Sequence, residues 1–364
     1  MWGAYRGGAL VGGMRLFDFS MRIRSAEGLT GGVGLVAVDL LRKKEEIARD
    51  LIATFLAHYR SRGATMAALH PFRPDFYRQM GFGYGTRMNQ YRVKPSALPR
   101  GGAKDRVRFL GLDDAAATMA CYDRVCDRTN GLIRKSHPGL ERLLGNPEAR
   151  VVGYERDGAI RAYLAFRLQQ GRQENLNELY VLEFIHESPE SLAGIMAFLH
   201  SQADQFATIV FNTQEEGFQY LPADPRNGTD NILFPPAYHE TNTQGIGIMY
   251  RVIDTPGVFI LLGDHDFGGQ TCTLKLSIRD GFFPPNDGDV VVRFTGGAAR
   301  VTDDPDHDVA VALDVAEFSS LLMGAVGFRS LYDFGLATIS DPAHVATVNR
   351  IFAADQKPIC TTAF

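Results

Sequence analysis

Between Leu35 and His70 a short apolar run, a basic turn, an amphipathic stretch and a second apolar run follow one another, and that order leaves few folds open. Leu35, Val36, Ala37 and Val38 are β-prone, with glycines upstream and charged residues downstream, which predicts a buried strand. From Ile47 the apolar positions take helical spacing: Ile47, Leu51 and Phe55, widened by Ile52, Leu56 and Tyr59, while Arg49, Asp50 and Arg60 stay off that face. Gly63 is expected to end the helix, and Ala64 to His70 reads as a second strand. A strand, helix, strand unit of this kind makes its two strands parallel neighbours. It also aims the first helical N–H groups and the basic side chains of the turn at one spot beyond the first strand's carboxyl end, where a phosphate could sit.

The rest of the chain has room for more than this unit. Its 364 residues suffice for two or three domains with their own cores, and 45% hydrophobic with 22% charged residues is ordinary for a globular protein. A net charge of -4 gives no general footprint for nucleic acid or an anionic membrane, so an anion site must be local. Cys121, Cys126, Cys272 and Cys360 lack paired spacing, which points to packed thiols and to neither a zinc site nor a disulfide framework. Asp303, Asp304, Asp306, His307 and Asp308, and likewise Asp264, His265 and Asp266, read as solvated turns, so no metal is expected. No apolar run approaches the roughly 20 residues of a membrane span. Glycines and Arg6 interrupt the N-terminus where a signal peptide would be apolar, and a cytoplasmic location is expected.

In chain order, Met1 to Arg24 predicts two strands joined through Arg6, Gly7 and Gly8, and Arg87 to Lys94 a further strand before the proline- and glycine-rich stretch 95–102. Strands at Val151 to Glu155 and Ala159 to Arg167 flank a tight turn. Leu179 to Ile185, a helix from Pro189 and Thr208 to Phe211 then repeat the strand, helix, strand order. From Thr255 the pattern predicts strands at Val258 to Leu262, Cys272 to Ile278, Val290 to Phe294, Ala299 to Thr302 and Val309 to Leu313, with helices at Val315 to Met323 and Pro342 to Ala353.

With these residues in view, the chain resembles the GNAT acetyltransferases and, within them, the Eis (enhanced intracellular survival) family. Three features carry the likeness: Val36-Ala37-Val38 leading into a basic turn and helix; Ala67-Ala68-Leu69-His70 followed by Phe76 and Tyr77; and the run Tyr77 to Gly83, similar to the family's Y-x-x-x-G-[FY]-G. The resemblance implies α/β and α+β architecture: two tandem GNAT-like domains and a sterol-carrier-like α+β domain. They are expected over residues 1–99, 100–254 without a cofactor site of its own, and 255–364. A GNAT fold ordinarily begins with a strand and two helices that have no counterpart here, so the chain is expected to enter the fold at its second strand and the first domain to be incomplete.

The resemblance further implies an acetyl-CoA-dependent N-acetyltransferase acting on primary amines such as aminoglycosides, polyamines or lysine side chains. Backbone groups of Val36, Ala37 and Val38 would hold the pantetheine arm. Lys43 and Lys44, with Ile47, Ala48 and Arg49 at the helix start, would hold the pyrophosphate of acetyl-CoA. Tyr77 would be the general acid, and the terminal carboxylate of Phe364 the general base. A homo-oligomer, often a hexamer in that family, follows in the same way, with no nucleic-acid or membrane partner. One departure matters: the family's turn reads R-x-x-G-x-[GA], whereas this chain places Glu46 where the glycine would stand. A carboxylate about 4 Å from a phosphate charge repels it by roughly 4 kcal/mol at an effective dielectric of 20 unless cations screen it. The alternative is therefore a catalytically impaired relative that binds a hydrophobic or acyl ligand.

Overall fold

The computed structural model describes residues 1–171, 177–229, 231–234 and 236–364, which divide into two compact units. The first comprises residues 1–86, 129–133 and 246–364, and the second residues 87–128 and 134–245.

The first unit begins with β1 (Trp2–Arg6), β2 (Ala9–Ile23) and β3 (Ala26–Val38), continues through the helix α1 (Ile47–Ser61), β4 (Met66–Leu69) and the helix α2 (Pro74–Arg78), and reaches β5 (Gly83–Tyr84). Gly7 and Gly8 both have positive φ in the two-residue turn joining β1 to β2, the geometry such a hairpin needs. The six-stranded sheet runs β1, β2, β3, β4, the strand Met249–Val252, then β5, and only β3 and β4 are parallel. Central strands buried on both faces read as continuous apolar runs, and β4 is buried at all four positions. Ala67 and Leu69 pack with the apolar face of α1, while Met66 and Ala68 join a core built with residues Val258 to Cys360. Ile52, Phe55 and Leu56 on α1 are fully buried, each contributing about 1.5–3 kcal/mol.

β3 is longer than the expected strand from Leu35 to Val38 because its first half is hidden by glycine. A methyl group on Gly31 would stand 2.5 Å from the Tyr59 ring and one on Gly32 2.2 Å from the Phe19 ring. Close backbone approach explains these residues, although glycine weakens the local strand signal.

The second unit holds a seven-stranded sheet that includes β6 (Met88–Val93), the antiparallel strands Arg150–Arg156 and Ala159–Gln170, the parallel pair Asn177–His186 and Phe206–Thr213, and the helix Pro189–His200. The sheets are not divided where chain order put the limits, at 99 and 254. β6 hydrogen-bonds between Phe206–Thr213 and Asn242–Gly245, whereas Met249–Val252 lies between β4 and β5. Each sheet takes a strand from the stretch assigned by order to the other.

The C-terminal region carries a five-stranded sheet, including Cys272–Arg279, Gly288–Thr295 and Val309–Asp314, with helices at Val315–Leu322, Phe328–Asp333 and Val345–Ile351. The strand expected at Val258 to Leu262 is instead part of the helix Thr255–Leu261. The side chain of Asp254 caps it by accepting a hydrogen bond from the Gly257 amide, Pro256 occupies its first turn, and Val258 and Phe259 are buried. A run of five apolar residues satisfies either period, and the cap decides. All four cysteines are buried thiols outside any disulfide, and burial pushes Cys360 up to about 11. Among the described residues no helix is long and apolar enough to cross a membrane.

Candidate active site

The site starts from a break in hydrogen bonding. β3 pairs with β4 only at Thr30, Gly31 and Gly32, opposite Met66, Ala67 and Ala68. Beyond Gly32 the two strands part, so the edge of β3 from Val33 to Val38 that faced β4 has no strand partner. Val36, Ala37 and Val38 lie on this open edge, with Val36 and Val38 packed toward α1 and Ala37 exposed. An extended ligand can add itself here as a strand would, through main-chain hydrogen bonds.

Within the opening, β3 is bulged. Gly13 pairs with Ala37 and Arg15 with Gly34, which leaves Leu35 and Val36 together opposite Met14. Leu35 has φ of 51° and an exposed side chain. A left-handed leucine costs about 1–2 kcal/mol and persists only where the surroundings enforce it. Such a bulge re-aims the following backbone groups. Nothing in the composition of the run marked Leu35 out.

The turn before α1 has the same character. Lys44 and Glu46 have φ of 69° and 59°, so both side-chain-bearing residues adopt the conformation that glycine favours. Glu46 thus carries a side chain in a left-handed conformation that glycine would take without strain. It precedes Ile47 without a side-chain cap, and the first amide returning into the helix is that of Asp50, to the Glu46 carbonyl at 3.0 Å. The amides of Ile47, Ala48 and Arg49 are accordingly unspent within the helix. The Ile47 side chain is buried in the core, leaving only its backbone to serve a ligand. Lys43 and Lys44 are exposed. Arg6 and Arg42 hold Glu45 at 3.0 and 3.7 Å, removing one of the two acidic charges from the turn. The Arg49 guanidinium lies 5.1 Å from the ring centroid of Phe282, so that side chain packs on an aromatic face. Arg6, Arg42, Lys43, Lys44 and Arg49 against Asp39, Glu45, Glu46 and Asp50 leave the turn with one net positive charge, which fits a pyrophosphate despite Glu46.

Tyr77 lies on α2, just beyond the carboxyl end of β4. Pro74 opens this helix, and Phe72, Phe76 and Phe82 surround the tyrosine ring at 5.9, 5.2 and 6.0 Å. Burial pushes its phenol up to about 12, so it keeps its proton near neutral pH. Among the described residues no group hydrogen-bonds the hydroxyl, which leaves it available.

The C-terminal tail reaches the same end of β4. Ile359 donates its amide to the Asn130 carbonyl at 2.8 Å, and His70 donates from Nε2 to the Thr362 carbonyl at 3.1 Å. Burial holds the His70 imidazole below its usual pKa, with that hydrogen bond acting in the opposite sense. Arg24, also buried, donates to the carbonyls of Leu321, Leu322, Phe352 and Ala353, closing the ends of two helices of the C-terminal region. The tail is thus fixed at both ends. The Phe364 ring packs on Phe17, Phe19 and His70 at 5.6, 4.7 and 5.0 Å. Its carboxyl group takes the place of a side chain on Gly34, where a methyl group would stand 3.2 Å from the carboxyl carbon. The carboxylate therefore borders the bulge in β3, and Gly34 makes room for it.

In the second unit, Asn177–His186 pairs with Phe206–Thr213 only through Asn177 to Tyr180, so these strands part as well. The following turn has no exposed lysines. Arg124 and Arg161 grip Glu187, and Ser188 caps the next helix through the Ser191 amide.

These observations agree with comparisons to known proteins. Residues 1–85 and 128–252 each match an acetyltransferase (GNAT) domain, and residues 261–361 match a sterol carrier protein domain. No curated protein matches the chain by sequence. Solved structures share the fold over the whole chain. A GCN5-related N-acetyltransferase from Anabaena variabilis superposes with a TM-score of 0.79 at 15% identity, covering 99% of this chain and 88% of that one. The corresponding values for a GCN5-related N-acetyltransferase from Kribbella flavida are 0.75, 18%, 100% and 88%. For Eis1 from Mycobacterium abscessus they are 0.79, 17%, 100% and 90%.

Proposed function

We propose that this chain of two GNAT domains and a C-terminal sterol-carrier-like domain is an acetyl-CoA-dependent N-acetyltransferase of primary amines, with one working site in its first GNAT domain. The observation that carries the reading is the parting of β3 from β4 after Gly32, with the Phe364 carboxyl group set against Gly34 at its edge.

Acetyl-CoA supplies the acetyl group as a thioester. The open edge of β3, Val36 to Val38, holds the pantetheine arm, while Lys43, Lys44 and the amides of Ile47, Ala48 and Arg49 take the pyrophosphate. The Phe364 carboxylate accepts a proton from the acceptor ammonium, directly or through one water, because only the neutral amine is a nucleophile. Backbone N–H groups at the bulge around Leu35 are placed to stabilise charge developing on the carbonyl oxygen. The neutral nitrogen attacks the thioester carbonyl carbon. As the C–S bond breaks, Tyr77 hydrogen-bonds the departing sulfur and gives it the phenolic proton, regaining a proton released by the newly acylated nitrogen.

Titration of CoA into the protein by calorimetry tests the reading, with an expected stoichiometry of one per chain. Absence of heat at millimolar CoA overturns it.

A further inference from the structure

We propose that the acceptor of this site is a primary amine that also bears an anionic group, a carboxylate or phosphate, and that Arg15 selects it. The inference rests on the acetyl-transfer reading and narrows its substrate class. Arg15 on β2 stands directly opposite Gly34 on β3. Side chains so paired start about 5 Å apart on the same face of the sheet. At Gly34 that position is bordered by the carboxyl group of Phe364, whose carbon lies 3.2 Å from where a methyl group would be, and by the edge of the Phe17 ring at 3.3 Å. A cation and the basic carboxylate thus flank one backbone pair at the mouth of the opening.

The cation is also held there. The guanidinium carbon of Arg15 lies 4.8 Å from the centroid of the Phe17 ring, which itself packs 5.6 Å from the Phe364 ring. Arg15 is exposed, and among the described residues it has no acidic partner. A guanidinium in this position repels the second ammonium of a polyamine and attracts a carboxylate or phosphate, which it can bind through two parallel hydrogen bonds. An acceptor with amine at one end and anion at the other meets both charges, the amine on Phe364 and the anion on Arg15.

Acetylation of 6-aminohexanoate and 6-aminohexanamide compares acceptors of equal length with alike amines, and O-phosphoethanolamine against ethanolamine asks the same of phosphate. The larger of the two ratios identifies the preferred anion. Wild-type protein should favour the anionic member of at least one pair by about tenfold or more in kcat/KM, expressed in KM. Arg15→Ala should bring that ratio near one, Arg15→Glu should invert it, and Arg15→Lys should retain part of it. Equal kcat/KM within both pairs, or a preference that survives Arg15→Glu, overturns the proposal. Calorimetric binding of the same four compounds without thioester separates this proposal from its premise. Anion-dependent binding lost in Arg15→Glu, with no acetyl transfer to any amine, supports the Arg15 site and overturns acetyl transfer. Transfer without anion preference does the reverse, and absence of both binding and transfer defeats both.

Discussion

The two GNAT domains open their sheets in the same way and then treat the opening oppositely. In each, a parallel strand pair separates after a few residues and the longer strand shifts register, near Leu35 in the first domain and between Val181 and Glu183 in the second. In the second domain the donors at the next helix are largely spent. Pro189 has no N–H, the Ser191 amide is taken by Ser188, and the adjoining charge is Glu187, held by Arg124 and Arg161. Glu183, in the open part of the strand, is engaged by Tyr163 and Lys135. In the first domain the helix start has no side-chain cap, lysines stand before it, and the opening is bordered by glycine and a chain terminus. A splayed sheet alone therefore does not make an anion-binding groove; free donors at its mouth do.

Five perturbations would break or sharpen this contrast. The largest expected effect is at Tyr77. Tyr77→Phe should lower kcat by about 10²- to 10⁴-fold with CoA affinity intact in calorimetry. Because the phenol is pushed up to about 12, the wild-type rate should show no fall from its ionisation between pH 7 and 10. Loss of protonated acid begins only as pH approaches that raised value, so a basic limb near 9 that disappears in the phenylalanine variant would contradict the assignment of a raised pKa.

Appending one glycine to Phe364 moves the carboxylate by a residue and should cost about 10²-fold in turnover, in line with misplacement of a reacting group. An unchanged rate would remove the terminus from the mechanism. In the second domain, Glu187→Gln leaves Arg124 and Arg161 without their carboxylate and should destabilise that unit by about 2 kcal/mol in a denaturant titration. It should leave acetyl transfer and the one-to-one CoA stoichiometry as they were, and a second CoA bound per chain would break the contrast outright.

The smallest effects concern the two helix starts. Glu46→Gly relieves a left-handed side-chain-bearing residue and removes a negative charge, for a gain of about 1 kcal/mol in stability and tighter CoA binding. Ser188→Ala removes a cap and should cost about 1 kcal/mol with no effect on CoA. Opposite signs are the expected result, read by thermal melts with and without CoA.

Much of this was legible along the chain. The apolar run, the helical spacing from Ile47 and the second run at Ala64 to His70 specify a parallel pair with a crossover, and α1 and β4 form as expected. The first half of β3 was not legible, because Gly31, Gly32 and Gly34 are explained by rings and a terminus that approach from residues distant in sequence. Val258 to Leu262 misled because an unbroken apolar run has no period, and only the cap from Asp254 and burial of one face made it a helix. Arg15 and Leu35 gave no local signal: one gains meaning from the residue opposite it, the other from a register shift.

Local order alone determined which segments are strands and helices through most of this chain and which charged residues flank the first crossover helix. That information lies in side-chain periodicity and in the chemistry of turns, which act over a few residues. Tertiary structure decided that β6 and Met249–Val252 would lie in different sheets, that one of two similar openings would keep its donors free, and that the last residue would stand beside Gly34. Those outcomes depend on hydrogen bonds and close contacts between residues tens to hundreds of positions apart, where the energy of a pairing belongs to neither partner's own sequence.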